Sequence, residues 1–120
     1  MKRVYVAGLY SETPDGGTAG VIQVLRNIRA GQRESLRVWR AGFAPFCPWL
    51  DYQFSLIDDE PTTKEKYYIY SMAWLDVSDA VYVISGRGQA GGVDAEIKRA
   101  NELHIPVYYS FSDLLIYQGE

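Results

Sequence analysis

The hydrophobic positions of the chain fall into two patterns, short continuous runs and longer stretches with helical spacing. Residues 3–8 (RVYVAG) and 80–84 (AVYVI) contain continuous β-branched and apolar runs, which are typical of strands buried on both faces. Residues 105–109 (IPVYY) form a similar run, and residues 43–47 (FAPFC) form one that contains Pro45. Because proline cannot donate to a strand ladder, we expect 43–47 to be an edge strand. The runs therefore predict four strands.

Helical spacing begins where the first loop ends. Apolar residues recur every three or four positions from Val21 to Trp39, and Gly42 follows them. This spacing predicts a long helix over about 19–41, in which Gly31 is a weak point because glycine lowers helix stability. The rest of the chain predicts an irregular aromatic segment over 48–61, a second helix that begins after Thr62 or Thr63, a third helix over about 93–103 and a short final helix capped by Ser112.

Strands alternate with helices along the chain, which is the arrangement of a parallel sheet with helices on both faces. Right-handed crossovers favour strand order 2-1-3-4, so we predict a single domain over 1–120 with a three-layer, flavodoxin-like or Rossmann-like α/β fold. In this order the first and third strands are neighbours, and ligands bind in the crevice at their carboxyl ends. The two loops that meet there, 8–18 and 85–95, are the most glycine-rich loops of the chain.

Composition narrows the class of function. The chain has 120 residues, 48% of them hydrophobic, and a formal net charge of −3, which excludes a disordered chain and argues against a nucleic acid polymer as partner. No apolar run approaches the length of a membrane span, and the single cysteine, Cys47, cannot form an internal disulfide, so we expect a cytoplasmic protein. The one histidine, His104, is expected at the opposite end of the sheet from the crevice. We therefore expect neither a metal nor a cofactor.

Glu96 follows the small-residue loop GQAGG (88–92) at the start of the predicted third helix. One interpretation is that Glu96 only complements the helix dipole, which stabilises a helix by about 0.3–1 kcal/mol. Asp94 can already do this and can cap the helix. Glu96 lies on the helical row that borders the apolar stripe of Val93 and Ile97, so it should lean toward the crevice. A carboxylate held in a concave pocket is suited to nucleophilic attack on a sugar carbon.

Two polar residues of the loop after the third strand are further candidates. The side chain of Ser85 either faces the crevice or makes a local turn bond. Arg87 either contacts a phosphate or carboxylate of a ligand or is a solvated loop arginine. The sequence leaves both choices open.

The segments VYVAGLY (4–10), DAVYVI (79–84) and GGVDAEIKRANELHIPVY (91–108) resemble the nucleoside 2-deoxyribosyltransferase-like superfamily, most closely its small bacterial and phage members. The resemblance covers most of the chain. It implies an enzyme that cleaves or transfers the N-glycosidic bond of a nucleoside or nucleotide, either as a deoxyribosyltransferase or as a nucleoside 5′-monophosphate N-glycosidase. It also implies a small-molecule partner and a homo-oligomer in which neighbouring subunits complete each other's sites.

The resemblance also assigns roles to residues. A glutamate at the start of this helix is the superfamily's nucleophile, which implies that role for Glu96, and a tyrosine of the first strand that positions the glutamate corresponds to Tyr5. The loop after the first strand lies near the sugar or a 5′-phosphate. Together with the candidates above, this gives a predicted set of substrate-binding residues: Gly8, Tyr10, Ser11, Ser85, Arg87, Gly91 and Gly92.

Two positions depart from the superfamily pattern. Ala90 stands where an Asp or Ser usually holds the sugar, and Ser71 stands where the second helix usually carries an Asp. These departures favour an alternative function, a catalytically inactive nucleotide-binding module of the same fold. A third alternative, a structural or partner-binding protein, would require the crevice to be filled by the chain's own aromatic side chains.

Overall fold

The computed structural model describes residues 1–10, 20–48, 50–60, 62–87 and 92–119. Four strands and five helices lie in these ranges. In chain order they are β1 (Arg3–Ala7), α1 (Val21–Arg40), β2 (Ala44–Phe46), α2 (Leu50–Ile57), α3 (Lys64–Leu75), β3 (Ala80–Val83), α4 (Gly92–Glu102), β4 (Val107–Tyr108) and α5 (Phe111–Gln118). None of the helices in the described ranges is long and apolar enough to cross a membrane.

The four strands form one parallel sheet in the order β2-β1-β3-β4. Tyr5 of β1 is in register with Phe46 of β2 on one side and with Val81 of β3 on the other. The strand that contains Pro45 is at the edge of the sheet, where a missing N–H removes no ladder bond from a further strand. The predicted α/β fold of flavodoxin-like or Rossmann-like type and its strand order are confirmed.

Helices cover both faces of the sheet because successive residues of β1 point to opposite sides. Val4 and Val6 join the core that includes Val38 of α1 and Leu114 of α5. Tyr5 belongs to the second core, which includes side chains of α3 and α4: Met72, Leu75, Val93 and Ala100. Burial on both faces explains why β1 and β3 read as continuous apolar runs.

The helical predictions were wrong in two places. The segment predicted to be irregular contains α2, because the described stretch Leu50–Ile57 has neither glycine nor proline and its aromatic residues are compatible with a helix. The last helix is capped by Ser110 and not by Ser112, so it begins at Phe111, two residues earlier than predicted; the Ser110 hydroxyl accepts a hydrogen bond from the Asp113 amide at 3.2 Å. The Thr63 cap of α3 is confirmed, with a hydrogen bond from the Lys66 amide.

Helix α1 runs unbroken through Gly31, from Val21 to Arg40. The missing side chain of Gly31 makes room for Tyr10. A Cβ atom at position 31 would lie 2.6 Å from the Tyr10 ring and 2.9 Å from the Cys47 sulfur. Gly31 therefore lets α1 approach the end of β1 closely.

A bidentate ion pair joins α3 to α4. Arg99 donates from Nε and Nη2 to the two carboxylate oxygens of Asp76, each at 2.9 Å. These hydrogen bonds, assisted by the positive charge of Arg99, hold the pKa of the Asp76 carboxyl below its usual value. The side chains are 39% and 36% exposed, so solvent screens the pair and its contribution to stability is small.

Replacing Gly31 tests the packing of Tyr10 on α1. Gly31→Ala gains up to about 1 kcal/mol of helix propensity, but overpacking typically costs about 1–3 kcal/mol. We expect a net loss of about 1 kcal/mol in urea unfolding, because the cost of overpacking is the larger effect. In a Tyr10→Ala background the same change should cost less or stabilise, since the ring is gone. Equal stabilisation in both backgrounds would contradict the packing argument.

The Asp76–Arg99 pair makes stability depend on acid pH. A carboxyl whose folded pKa is depressed contributes stability above its unfolded pKa, about 3.9, and the contribution is lost as pH falls through the lower folded value. Asp76→Asn should therefore unfold slightly more easily than the parent at pH 7, and the difference should vanish in strong acid. Urea unfolding across pH measures this, with Arg99→Gln as the matched variant. A difference that does not change with pH would exclude the ion pair as its cause.

Candidate functional site

The carboxyl ends of β1 and β3 bring two loops into direct contact. The Leu9 amide donates to the Ser85 hydroxyl at 2.8 Å, and the Ile84 amide donates to the Ala7 carbonyl at 2.9 Å. A Cβ atom at position 8 would lie 2.8 Å from Ile84 and 3.0 Å from the Ser85 oxygen, so this approach requires glycine. The hydroxyl of Ser85 thus joins the two loops by a hydrogen bond. Neither of the two interpretations of Ser85 from the sequence included this bond.

Gly86 fixes the direction in which the chain leaves β3. Its φ of +84° is unfavourable for residues with a side chain. A Cβ atom there would lie 2.8 Å from Val93 at the start of α4 and 3.1 Å from Leu9. The first turn of α4 therefore packs closely on both loops, at the same edge of the sheet.

Glu96 is one turn into α4, and Asp94 occupies the first turn. Only 9% of Glu96 is exposed, which agrees with the expectation that it leans away from water. Helical side chains tilt toward the amino end of their helix, so the carboxylate lies back over Gly92. Oε1 is 3.9 Å from the position that a Cβ atom on Gly92 would occupy. A side chain at position 92 would therefore be in van der Waals contact with this buried carboxylate.

Three tyrosines lie in this region of the structure: Tyr5 of β1, Tyr10 of the loop after β1 and Tyr68 of α3. Tyr5 is fully buried in the core that also contains Val93 of α4. Burial, the neighbouring Cys47 and the negative charge of Glu96 raise the pKa of the Tyr10 hydroxyl well above its usual value. Partial burial and then the charge of Glu96 also raise the pKa of Tyr68 on α3. Tyr10 and Tyr68 therefore stay protonated at neutral pH and keep their O–H donors.

Tyr10 is held in place at four points. Its hydroxyl donates to the Val6 carbonyl at 3.1 Å, and the Cys47 thiol donates to the Tyr10 oxygen at 3.1 Å. The Asn27 side-chain amide donates to the Tyr10 carbonyl at 3.1 Å, and the ring packs over Gly31. These contacts point the phenol of Tyr10, a predicted substrate-binding residue, toward the interior of the protein.

The remaining predicted residues are distributed as follows. Arg87 is exposed at the same edge, with its guanidinium carbon 3.6 Å from the centre of the Tyr109 ring. Ser11 and Gly91 lie outside the described residues, as does Ala90. The described members of the set follow the carboxyl ends of β1 and β3 or lie in the first turns of α4, except Tyr5, which lies in the middle of β1: Gly8, Tyr10, Ser85, Arg87, Gly92 and Glu96.

Sequence reasoning missed several residues of this region. Cys47 and Tyr68 gave no signal, because their proximity to Tyr10 and Glu96 is created by different elements. Gly31 did give one, since a glycine inside a helical pattern often has a packing reason. In the described ranges no three His, Cys, Asp or Glu side chains are grouped as metal ligands, and His104 adopts a φ of 57° in the turn before β4.

An open groove of about 410 Å³ lies between α2 and α3. Aromatic side chains line it together with polar ones, and none of the predicted site residues is among them: Phe54, Ile57, Asp58, Thr62, Lys66, Tyr67 and Tyr70. We locate the candidate site at Glu96 instead, because its carboxylate is buried at the carboxyl edge of the sheet, whereas the ionisable residues of the groove, Asp58 and Lys66, are exposed.

The chain belongs to the family described as a domain of unknown function, DUF7768, whose model matches residues 2–110. Comparison with curated proteins and comparison with solved structures gave no match. None of these comparisons connects the chain to nucleoside 2-deoxyribosyltransferase-like proteins, so that resemblance stays a prediction.

Removing the Ser85 hydroxyl tests the connection between the two loops. Ser85→Ala leaves the Leu9 amide without its acceptor, so we expect a loss of about 1 kcal/mol in unfolding free energy. Hydrogen exchange at Leu9 should accelerate, while the Ile84 amide, bonded to Ala7, should change little. Ser112→Ala, at an exposed position of α5, is the control. Unchanged exchange at Leu9 would mean that this bond does not hold the loops together.

Proposed function

We propose that this member of the DUF7768 family cleaves or transfers the N-glycosidic bond of a nucleoside or nucleotide, with Glu96 as the nucleophile. The observation that carries the proposal is the burial of the Glu96 carboxylate at the carboxyl edge of a parallel sheet. Burying an ionisable group costs free energy, and groups buried in this way cluster at functional sites because catalysis requires them there. The edge itself is where α/β folds of this strand order bind ligands.

The proposed chemistry has two steps. A carboxylate oxygen of Glu96 bonds to the anomeric carbon of the sugar while the bond from that carbon to the base nitrogen breaks. The electron pair of the broken bond stays on the base, which takes up a proton as it leaves. Water, or a second base, then bonds to the anomeric carbon while the bond from that carbon to Glu96 breaks. The attacking group loses a proton, which balances the one taken up by the leaving base, and the carboxylate is restored. Water as acceptor gives hydrolysis, and a base gives transfer.

The surrounding residues have roles that follow from their positions. Tyr5, buried on the face of the sheet that α4 covers, is the proposed orienting partner of Glu96. The loops 8–18 and 85–92 form the proposed cradle for the sugar and any phosphate, with glycine where backbone must come close. A cytoplasmic homo-oligomer whose neighbouring subunit completes the pocket belongs to the same proposal.

A specific observation favours a second function, nucleotide binding without catalysis. Ser71 stands in α3 at the position where the resemblance expects an aspartate, and it is only 7% exposed. A serine hydroxyl there can donate and accept but carries no charge for sugar recognition. Asp76 and Asp79 do not replace it, since Asp76 binds Arg99 and Asp79 accepts from the Arg3 amide at 2.7 Å. Product release assays separate the two functions.

Free-base release tests the proposed nucleophile. Ribo- and deoxyribonucleosides and their 5′-monophosphates are incubated with the protein, and the bases are separated by chromatography. Glu96→Gln keeps the size of the side chain and should lower release by about a thousandfold or more, because the amide cannot attack the sugar. Glu102→Gln is the matched control, since it makes the same change at an exposed position of the same helix.

Thermal unfolding of each variant shows whether it is folded. Release that survives in a folded Glu96→Gln protein would overturn Glu96 as nucleophile. No release from any substrate, combined with nucleotide-dependent thermal stabilisation, would support the binding module.

A further inference from the structure

Arg87 occupies a distinctive position at the edge of the sheet where Glu96 lies. It follows Gly86, whose positive φ and close contacts with Leu9 and Val93 fix the local chain direction. Its guanidinium lies over the ring of Tyr109, which directly follows β4 and is 38% exposed. The positive charge is thus positioned by a fixed turn on one side and by an aromatic face on the other.

No carboxylate neutralises this charge among the residues that the structure describes. Arg99 and Arg37, in contrast, pair with Asp76 and Glu34 respectively. Stacking occupies the flat face of the Arg87 guanidinium and leaves its N–H edges available. Those edges have the fork geometry that matches two oxygens of a phosphate. In a chain of net charge −3, an exposed and unneutralised arginine at a candidate site favours an anionic ligand group.

Two other donors that the structure describes at this edge are engaged inside the protein. The Leu9 amide donates to Ser85, and the Tyr10 hydroxyl donates to Val6. Of the groups that sequence analysis offered for a substrate phosphate, Arg87 is therefore the charged one that faces solvent.

We propose that Arg87, stacked on Tyr109, binds the 5′-phosphate of the substrate, so that the enzyme acts on nucleoside 5′-monophosphates in preference to nucleosides. This inference rests on the proposed glycosidic chemistry for the identity of the substrate. The anion subsite itself rests only on the geometry of Arg87 and Tyr109. The two can therefore be tested separately.

Ribose 5-phosphate tests the subsite, because it carries the phosphate but has no base to release. Isothermal titration should show that Arg87→Gln weakens its binding about tenfold or more, which corresponds to about 1.4 kcal/mol. Arg40→Gln makes the same change at the end of α1, on the opposite edge of the sheet, and should bind as the parent does. Tyr109→Phe keeps the aromatic face and should retain binding, whereas Tyr109→Leu should weaken it.

Two results of the titration would overturn the subsite. One is a parent protein that does not bind ribose 5-phosphate, and the other is an Arg87→Gln protein that binds it as tightly as the parent. Circular dichroism of each variant confirms that it is folded.

Measuring the release of free base then tests the phosphate subsite and the glycosidic chemistry separately. If both proposals hold, Arg87→Gln lowers kcat/KM for a monophosphate about tenfold more than it lowers kcat/KM for the matching nucleoside. Release from nucleosides and monophosphates at equal rates, insensitive to Arg87→Gln, supports the glycosidic chemistry and overturns the phosphate subsite. Binding of ribose 5-phosphate through Arg87 with no release from any substrate supports the subsite and overturns the glycosidic chemistry.

Discussion

The parallel pairing of β1 with β3 is the constraint on which the rest of the structure depends. Residues Val4 to Ala7 pair with Ala80 to Val83, and both strands are buried on both faces. Because the strands run in the same direction, the loops that leave them emerge at one edge and touch. Gly8 permits that contact, and Ser85 closes it with a hydrogen bond across the two loops. The position of α4, and with it of Glu96, follows from this junction.

The two edges of the sheet have different chemistry. At the amino edge, carboxylates are engaged in structural contacts: Asp79 holds the start of β1, and Asp76 holds α4 through Arg99. At the carboxyl edge, glycines allow close backbone approach, and the charge of the buried Glu96 carboxylate helps to raise the pKa of Tyr10 and of Tyr68. A helix-dipole role for Glu96 does not require burial, and Asp94 is better placed for it in the first turn of α4.

Glu96 and Arg87 lie at this same edge but in different surroundings. Glu96, a residue of α4, is buried, whereas Arg87 is exposed and stacked on Tyr109. A substrate with a neutral sugar and a charged phosphate matches this division, because the sugar tolerates a dehydrated pocket and the phosphate retains contact with water. The proposed function and the proposed phosphate subsite thus describe two ends of one ligand.

The sequence by itself determined the strands, the order of the sheet and the edge at which the candidate site lies. These depend on local periodicity and on the handedness of crossovers, which a chain of apolar runs and glycine loops specifies without long-range information. Only the tertiary structure decided the partners of the side chains. Gly31 leaves room for Tyr10 and Cys47, and Ser85 accepts a hydrogen bond from Leu9. The guanidinium of Arg87 lies over the ring of Tyr109. In each case the partners are distant in sequence. Side-chain contacts of this kind depend on how packed elements are placed, and local pattern does not encode that placement.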